Sequence, residues 1–220
     1  MLQHHYHFTP NEPDDLHCLQ SAIRMTWEGL FGKTLSLRDA ERVTNFQAGL
    51  QTWPFAAMLS LADAGATVVN IEDFDPHGFI ADPAAELQRQ TLGDEKVVAH
   101  ILAVSDADAE IEIVKKCLAH PLVRFENRSP RLPDLITAAQ APATAVICNV
   151  NYRALVSRAG YNGHFVIVDS ADEQEVHFQD PGLPPLENHH VATETFLAAW
   201  APPKANMANL IVCSLDEASG

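Results

Sequence analysis

The stretch Gly160-Tyr161-Asn162-Gly163-His164-Phe165-Val166-Ile167-Val168 decides the fold, because it places a histidine at the start of an apolar strand. A second strand-like run, Glu175-Val176-His177-Phe178-Gln179, follows a polar segment and leads into Asp180. Two such runs joined by a short polar segment predict a hairpin of antiparallel strands. The start of one strand then lies beside the end of the other. We therefore expect His164 next to Asp180 at one edge of a sheet.

Helical patterns dominate the chain before this hairpin. Leu19, Ile23, Trp27 and Leu30 follow one another at helical spacing and predict a helix over about residues 16–30, N-capped by Asp14 or Asp15. Helices first and strands later predict an α+β domain, in which an N-terminal helical part carrying Cys18 packs on a C-terminal antiparallel sheet carrying His164 and Asp180. Further helices are expected at 35–44, 53–64, within 82–120, at 133–140 and near 193–200, and further strands at 66–71, 144–149 and 209–214.

Length and charge restrict the possible functions. A chain of 220 residues, 47% of them hydrophobic and 20% charged, is expected to form one folded domain, 1–220. Its formal net charge of -15 repels phosphate backbones and predicts that nucleic acid is not a partner. No apolar run approaches the length of a membrane span, and the N-terminus lacks the pattern of an export signal, so we expect a cytoplasmic protein without a membrane partner.

Cys18 stands apart from the other three cysteines. Cys148 and Cys213 lie inside apolar runs and are expected in the core, while Cys18 lies at the start of the first predicted helix. No pair of cysteines has close spacing, which favours a reducing compartment. A thiol at a helix N-terminus experiences the positive end of the helix dipole, and this stabilises the thiolate. A buried structural cysteine on the first helical turn is the alternative interpretation.

The order along the chain of a cysteine on a helix, a histidine on a strand and an aspartate at a strand end is that of a papain-like thiol triad. In this interpretation Cys18 is the nucleophile, His164 is its base and the acid toward the leaving group, and Asp180 orients the imidazole. Taken singly, His164 fits better as a core histidine, and Asp180 fits better as a turn residue before a proline.

These segments resemble a known family. His17-Cys18-Leu19-Gln20-Ser21-Ala22-Ile23-Arg24-Met25 is similar to the catalytic helix of the bacteriocin-processing (double-glycine leader) peptidases and their free-standing relatives. Gly163 to Val168, followed by Asp180-Pro181-Gly182, resembles the second half of the same pattern. The resemblance covers the first ~45 and the last ~90 residues, with residues 46–130 unassigned. It implies a papain-like fold and cysteine peptidase activity, with Cys18, His164 and Asp180 as the catalytic residues.

One departure from the family pattern concerns the oxyanion. The family places a glutamine six residues before the cysteine, and its amide donates to the oxyanion; here that position is Glu12. An ionised carboxylate cannot donate, so the candidates are a protonated Glu12, the neighbouring Asn11, or Gln20 on the helix. Trp53 and Tyr161 are weaker candidates for the lining of a substrate cleft, since aromatic residues mostly belong to cores.

The sequence therefore predicts a thiol-dependent hydrolase that acts on a peptide or amide bond through an acyl-enzyme at Cys18. Acyl or aminoacyl transfer by the same triad is the second hypothesis, and a catalytically degenerate peptide-binding module is the third. No nucleotide-binding motif is present, and His4, His5, His7, His189 and His190 lack zinc-site spacing, so neither a cofactor nor a metal is expected. No feature predicts an oligomeric state.

Overall fold

A seven-stranded mixed sheet forms the centre of the protein. The structure is a computed structural model that describes residues 6–200 and 207–215. Along the sheet the strands have the order β2-β1-β7-β3-β4-β5-β6. The strands are β1 (Thr67–Glu72), β2 (Val123–Asn127), β3 (Thr144–Asn151), β4 (Gly163–Ala171), β5 (Glu175–Asp180), β6 (Leu186–Ala192) and β7 (Asn209–Ser214).

The sheet is less uniform than predicted. β1 and β2 are parallel, whereas every other neighbouring pair is antiparallel. The sheet also takes strands from both halves of the chain, so it is not confined to the C-terminal part. β1 and β2 can pair in parallel because the connection between them contains the helices between residues 76 and 119 and is long enough for a crossover. The predicted β4–β5 hairpin is confirmed, with a bulge between Val168 and Ser170.

Helices cover both faces of the sheet. Successive residues of β4 alternate between the faces, so that Phe165 and Ile167 belong to one core cluster and Val166 and Val168 to another. This two-sided burial explains why β4 reads as a continuous apolar run. The helices are α1 (Cys18–Phe31), α2 (Leu37–Val43), α3 (Phe55–Asp63), α4 (Pro76–Ala81), α5 (Pro83–Gln90), α6 (Glu95–Ala103), α7 (Ala107–Ala119), α8 (Leu132–Gln140), α9 (Tyr152–Leu155) and α10 (Thr193–Ala199).

The first core cluster joins α1, α3 and α7 to the sheet, with Ile23, Met58 and Val114 fully buried. The second joins α8 and α10 to the opposite face, with Leu135 and Phe196 fully buried. Cys148 and Cys213 are both 0% exposed, as predicted from their apolar runs. α1 therefore packs against the sheet near β4, and this packing brings its N-terminus to the start of that strand.

No helix in the described ranges 6–200 and 207–215 has the length and apolar character needed to cross a membrane.

Candidate active site

The thiol of Cys18 lies at the first residue of α1. The predicted N-cap, Asp14 or Asp15, is wrong, because His17 occupies the cap position. Asp14 instead bonds the His17 ring, with 2.9 Å between its Oδ1 and Nδ1, and Glu41 lies 3.2 Å from Nε2 on the other side. The ring also stacks on Phe46 at 4.2 Å between centroids. Contacts on three sides therefore fix the start of the helix, and with it the position of the thiol.

His164 and Asp180 are in contact at the edge of the β4–β5 hairpin. His164 Nε2 lies 2.6 Å from Asp180 Oδ1, and the two residues are 5% and 1% exposed. The same carboxylate oxygen accepts the backbone N–H of Gly182 at 2.9 Å. Asn149 on β3 accepts the backbone N–H of His164 at 3.1 Å. The imidazole is therefore held through both its ring and its backbone.

The Cys18 thiol lies close enough to the His164 ring, and to the backbone N–H groups of Phe165 and Leu19, for these groups to lower its pKa. Because Asp180 engages Nε2, the other ring nitrogen is the one left for the thiol. The three predicted residues are therefore brought together where α1 meets the β4–β5 hairpin. Cys18 is partly exposed.

The electrostatics favour an ion pair between the thiol and the imidazole. Burial by itself would raise the pKa of Cys18, but the hydrogen bond and charge of His164 outweigh it, and the pKa is lowered. Burial likewise opposes the charged form of His164, but its bonds to Asp180 and Cys18 prevail and raise its pKa to about 10. Both shifts favour the pair in which the thiol has lost its proton and the imidazole carries one.

Two of the three predicted oxyanion donors, Asn11 and Gln20, have other partners in this structure. The side-chain amide of Asn11 donates to Asp15 at 3.0 Å, and its carbonyl oxygen accepts the backbone N–H of His17 at 2.8 Å. Gln20 is 0% exposed, and its amide donates to the Thr44 hydroxyl at 2.8 Å. Within the described part of the chain, the Glu12 side chain has no hydrogen-bond partner.

A partly open cavity of about 290 Å³ lies close to Cys18, which is not itself one of its lining residues, and Trp53 and Tyr161 both line it. Phe165, whose backbone N–H is one of the groups that lower the pKa of Cys18, and Asn149, which holds the backbone of His164, are also part of its wall. Burial, and then the nearby charge of Cys18, raise the pKa of Tyr161 to about 12. The two aromatic residues proposed from the sequence are therefore brought to one cavity beside Cys18.

Three contributors to the site were missed in the sequence. Asn149 interrupts an otherwise apolar strand, and a lone polar residue in such a run is a signal of a buried structural role. Gly182 follows the aspartate by two residues, and a Cβ there would lie 3.2 Å from the His164 ring. Glu72 lines the cavity from β1, and its position follows from strand pairing that the sequence does not reveal.

Among the histidines that were considered as metal ligands, His7, His189 and His190 each contact a different neighbour. His7 Nδ1 lies 2.8 Å from Glu28, His190 stacks on His177, and His189 packs edge-on against Phe178. His4 and His5 lie outside the described residues. Across the residues that are described, no three His, Cys, Asp or Glu side chains are grouped as metal ligands would be.

The whole fold is similar to a solved structure, that of the peptidase domain of Streptococcus ComA, a bi-functional ABC transporter involved in a quorum-sensing pathway. The TM-score is 0.53 at 8% sequence identity, and the match covers 96% of this chain and 99% of that chain. No protein-family model matches the sequence, and no curated protein matches it either. At this identity the likeness concerns the fold, and it confirms the papain-like α+β architecture implied by the segments around Cys18 and His164.

Proposed function

We propose that the protein is a cysteine peptidase or amidohydrolase in which Cys18, His164 and Asp180 act as a catalytic triad. The observation that carries this proposal is the proximity of the Cys18 thiol to an imidazole that is itself bonded to a buried carboxylate. A cysteine with these neighbours has the features of an activated nucleophile, namely a base within reach and a third group orienting that base. The structural neighbour is a peptidase domain, which agrees with this chemistry.

The reaction uses the two charges already present. The Cys18 thiolate attacks the substrate carbonyl, a C–S bond forms, and the carbonyl electrons move onto oxygen. The His164 imidazolium then gives its proton to the leaving amine as the C–N bond breaks, leaving an acyl thioester on Cys18. In the second half, His164 takes a proton from water, the hydroxide attacks the thioester, and the C–S bond breaks. Release of the acid restores the thiolate and the imidazolium.

We assign the oxyanion to the backbone N–H groups of the first turn of α1, because the N–H of Leu19 is close to the sulfur and this turn is the positive end of the helix. The amides of Asn11 and Gln20 are less available, because each donates elsewhere. The carboxyl group of Glu12 could donate a hydrogen bond to the oxyanion only in its protonated form. Loss of one side-chain donor typically costs ~100- to 1,000-fold in rate, so hydrolysis is expected to be slow.

Acyl transfer is the second candidate, and the cavity beside Cys18 favours it. A largely apolar, partly open space near the thioester can limit the access of water until an amine arrives. The chemistry up to the acyl-enzyme is identical. The two candidates differ in whether water or an amine attacks the thioester.

The test is to trap the intermediate. Wild-type protein is incubated with an aryl thioester, and intact-mass and peptide mass spectrometry locate the acyl group. We expect one acyl group on Cys18, none in Cys18→Ala, and normal acylation in the matched control Cys213→Ala. Release of the acyl group by buffer identifies a hydrolase, and release that needs an added amine identifies a transferase. Absence of acylation at Cys18 would leave the third alternative, a peptide-binding module.

The proposed role of Cys18 also bears on the compartment in which the protein works. All four cysteines are free, and a nucleophilic thiolate needs protection from oxidation, so we place the protein in a reducing compartment such as the cytoplasm.

A further inference from the structure

Four residues in a row across the sheet line one wall of the cavity beside Cys18. Glu72 on β1 pairs with Asn209 on β7, and Asn149 on β3 pairs with Phe165 on β4. A hydrogen bond of 2.8 Å from the Asn149 backbone N–H to Asn209 Oδ1 joins the two pairs. All four residues line the cavity. With neighbouring strands ~4.8 Å apart, three strand spacings place the backbone of Glu72 about 14 Å from that of Phe165.

The two ends of this row differ in chemistry. At one end is Phe165, whose backbone N–H is close enough to the Cys18 sulfur to lower its pKa, so this end of the cavity lies near the nucleophile. At the other end is the carboxyl group of Glu72. Between them the wall is largely aromatic and aliphatic, with Trp53, Phe74 and Ile101 among its members. A volume of about 290 Å³ is close to the lower end of the range for small-molecule sites.

Glu72 has no cationic partner among residues 6–200 and 207–215. Its Oε2 accepts a hydrogen bond from the Asn70 amide at 3.2 Å, and the Gln90 amide is a second neutral partner. The nearby guanidinium of Arg89 is occupied by two other carboxylates, Asp73 at 2.6 Å and Glu86 at 2.7 Å. Asp73 and Glu86 therefore share this cation, and Glu72 is left with neutral partners.

Burial and the like charges of Glu86 and Asp73 raise the pKa of Glu72 to about 7, against the hydrogen bonds from Asn70 and Gln90. A cation placed beside Glu72 would relieve this penalty, because an opposite charge favours the ionised carboxylate. The aromatic rings of the wall add a second attraction for a cation.

The cavity wall also contains two polar groups without partners. The indole N–H of Trp53 and the hydroxyl of Thr52 are buried and make no hydrogen bond. Buried polar groups are normally paired, and an unpaired N–H costs free energy. Both atoms are shielded from solvent, so they lie behind the surface that an occupant would contact.

We propose that this cavity binds a substrate group with an apolar body and a terminal primary amine, whose ammonium pairs with Glu72. The orientation of that group, with its reacting carbonyl at Cys18, rests on the proposed function; its binding does not. The exposed side chains of Lys96 and His100 line the same cavity and disfavour a second cationic group.

The test compares two fluorescent probes that differ in one charge. Dansylcadaverine has an aromatic body, a sulfonyl acceptor and a terminal amine, and N-pentyl dansylamide lacks the amine. Their affinities are measured by fluorescence anisotropy with Cys18→Ala protein, so that no chemistry intervenes. We expect dansylcadaverine to bind about tenfold more tightly, as a charge-assisted hydrogen bond allows. Glu72→Gln should remove this preference, and Glu112→Gln, at an exposed position on α7, should keep it.

The proposal would be overturned if Cys18→Ala protein bound the two probes with equal affinity. It would also be overturned if Glu72→Gln, in the same background, still bound dansylcadaverine more tightly than N-pentyl dansylamide. Val97→Trp provides a second test, because it fills the cavity without removing a charge and should weaken binding of both probes. Circular dichroism verifies that each variant is folded. Probe discrimination without acylation of Cys18 would overturn the proposed function alone. Acylation without discrimination would overturn the amine site alone.

Discussion

The charges of Cys18 and His164 make the reactivity of the site strongly dependent on pH. Because the pKa of Cys18 lies below its ordinary value, we expect alkylation by iodoacetamide to stay fast at pH 6 to 7 and to decline only at more acidic pH. His164→Ala removes both the hydrogen bond and the positive charge, so the rate at pH 6 should fall by roughly 10- to 100-fold. Rates measured from pH 4 to 10 by peptide mass spectrometry test this.

The other three cysteines are the internal control for this experiment. Burial raises the pKa of Cys117 and of Cys213 to about 12, and it raises the pKa of Cys148 as well. Each should react slowly at neutral pH. Uniform labelling of all four thiols would contradict the ion pair. Turnover of substrate should fall again above pH 10, because His164 loses the proton that the leaving amine needs.

Gly182 is the residue that leaves space for the histidine–aspartate pair. A Cβ at this position would lie 2.9 Å from Asp180 Oδ1 and 3.2 Å from the His164 ring, closer than real contacts allow. Gly182→Ala should therefore push the two side chains apart and cost about 1–3 kcal/mol, as overpacking does. We expect acylation of Cys18 to slow by about tenfold.

Gly163→Ala is the matched comparison for Gly182→Ala. Its Cβ would meet the end of the Tyr161 side chain, which is 41% exposed and can turn away. Its acylation rate should change much less. If Cys18 were acylated at the wild-type rate in the Gly182→Ala variant, the close packing around His164 would have no functional importance.

Among the secondary-structure elements, the junction between α1 and α2 depends on a buried amide. Gln20 donates to the Thr44 hydroxyl, which in turn donates to the Ala40 carbonyl at 2.8 Å, while the Gln20 oxygen is buried without a partner. Gln20→Met keeps the volume and removes an unsatisfied acceptor. The free energy of unfolding should therefore stay within about 1 kcal/mol of wild type or rise. Chemical denaturation measures it.

The same variant tests whether Gln20 stabilises the oxyanion. Acylation of Cys18 by an aryl thioester should proceed at the wild-type rate in Gln20→Met. A fall of tenfold or more in a stably folded variant would instead identify this amide as an oxyanion donor, reached by a change in its side-chain orientation.

The strands that could be predicted from the sequence are those in the interior of the sheet. β1, β3, β4, β5 and β7 contain apolar runs because helices cover both faces around them. β2 and β6 were not predicted, and they are the two edges of the sheet. An edge strand is exposed along one side, so polar residues such as those of Leu186–Ala192 are acceptable there and conceal the pattern.

The residues of the site likewise fall into those that could be predicted from the sequence and those that could not. Cys18, His164 and Asp180 could be proposed because each lies at the end of an element with a clear local signature. Glu72 could not be associated with them, because its position relative to Phe165 depends on the order of four strands, including one pairing across more than 130 residues of chain. Local patterns contain no information about that order.

For the whole molecule, β7 links the two parts of the sheet. It pairs with β1 on one side and with β3 on the other, so the strands from the first half reach the hairpin of the site only through it. Ile211 is 2% exposed and belongs to the cluster that joins α1 and α3 to the sheet. If the chain is one domain, damage at this strand should destabilise both halves together.

Ile211→Ala makes this expectation measurable. Removal of a buried isoleucine side chain typically costs about 2–5 kcal/mol, and here the loss falls on the strand shared by both halves. In single-tryptophan versions, fluorescence of Trp53 reports on the first half and that of Trp200 on the second. Both denaturation midpoints should fall by the same amount, whereas Leu197→Ala, at a position 37% exposed, should change neither by much. A shift in the Trp200 transition with the Trp53 transition unchanged would show two independently folding units, and the cavity between Glu72 and Cys18 would then lack a rigid frame.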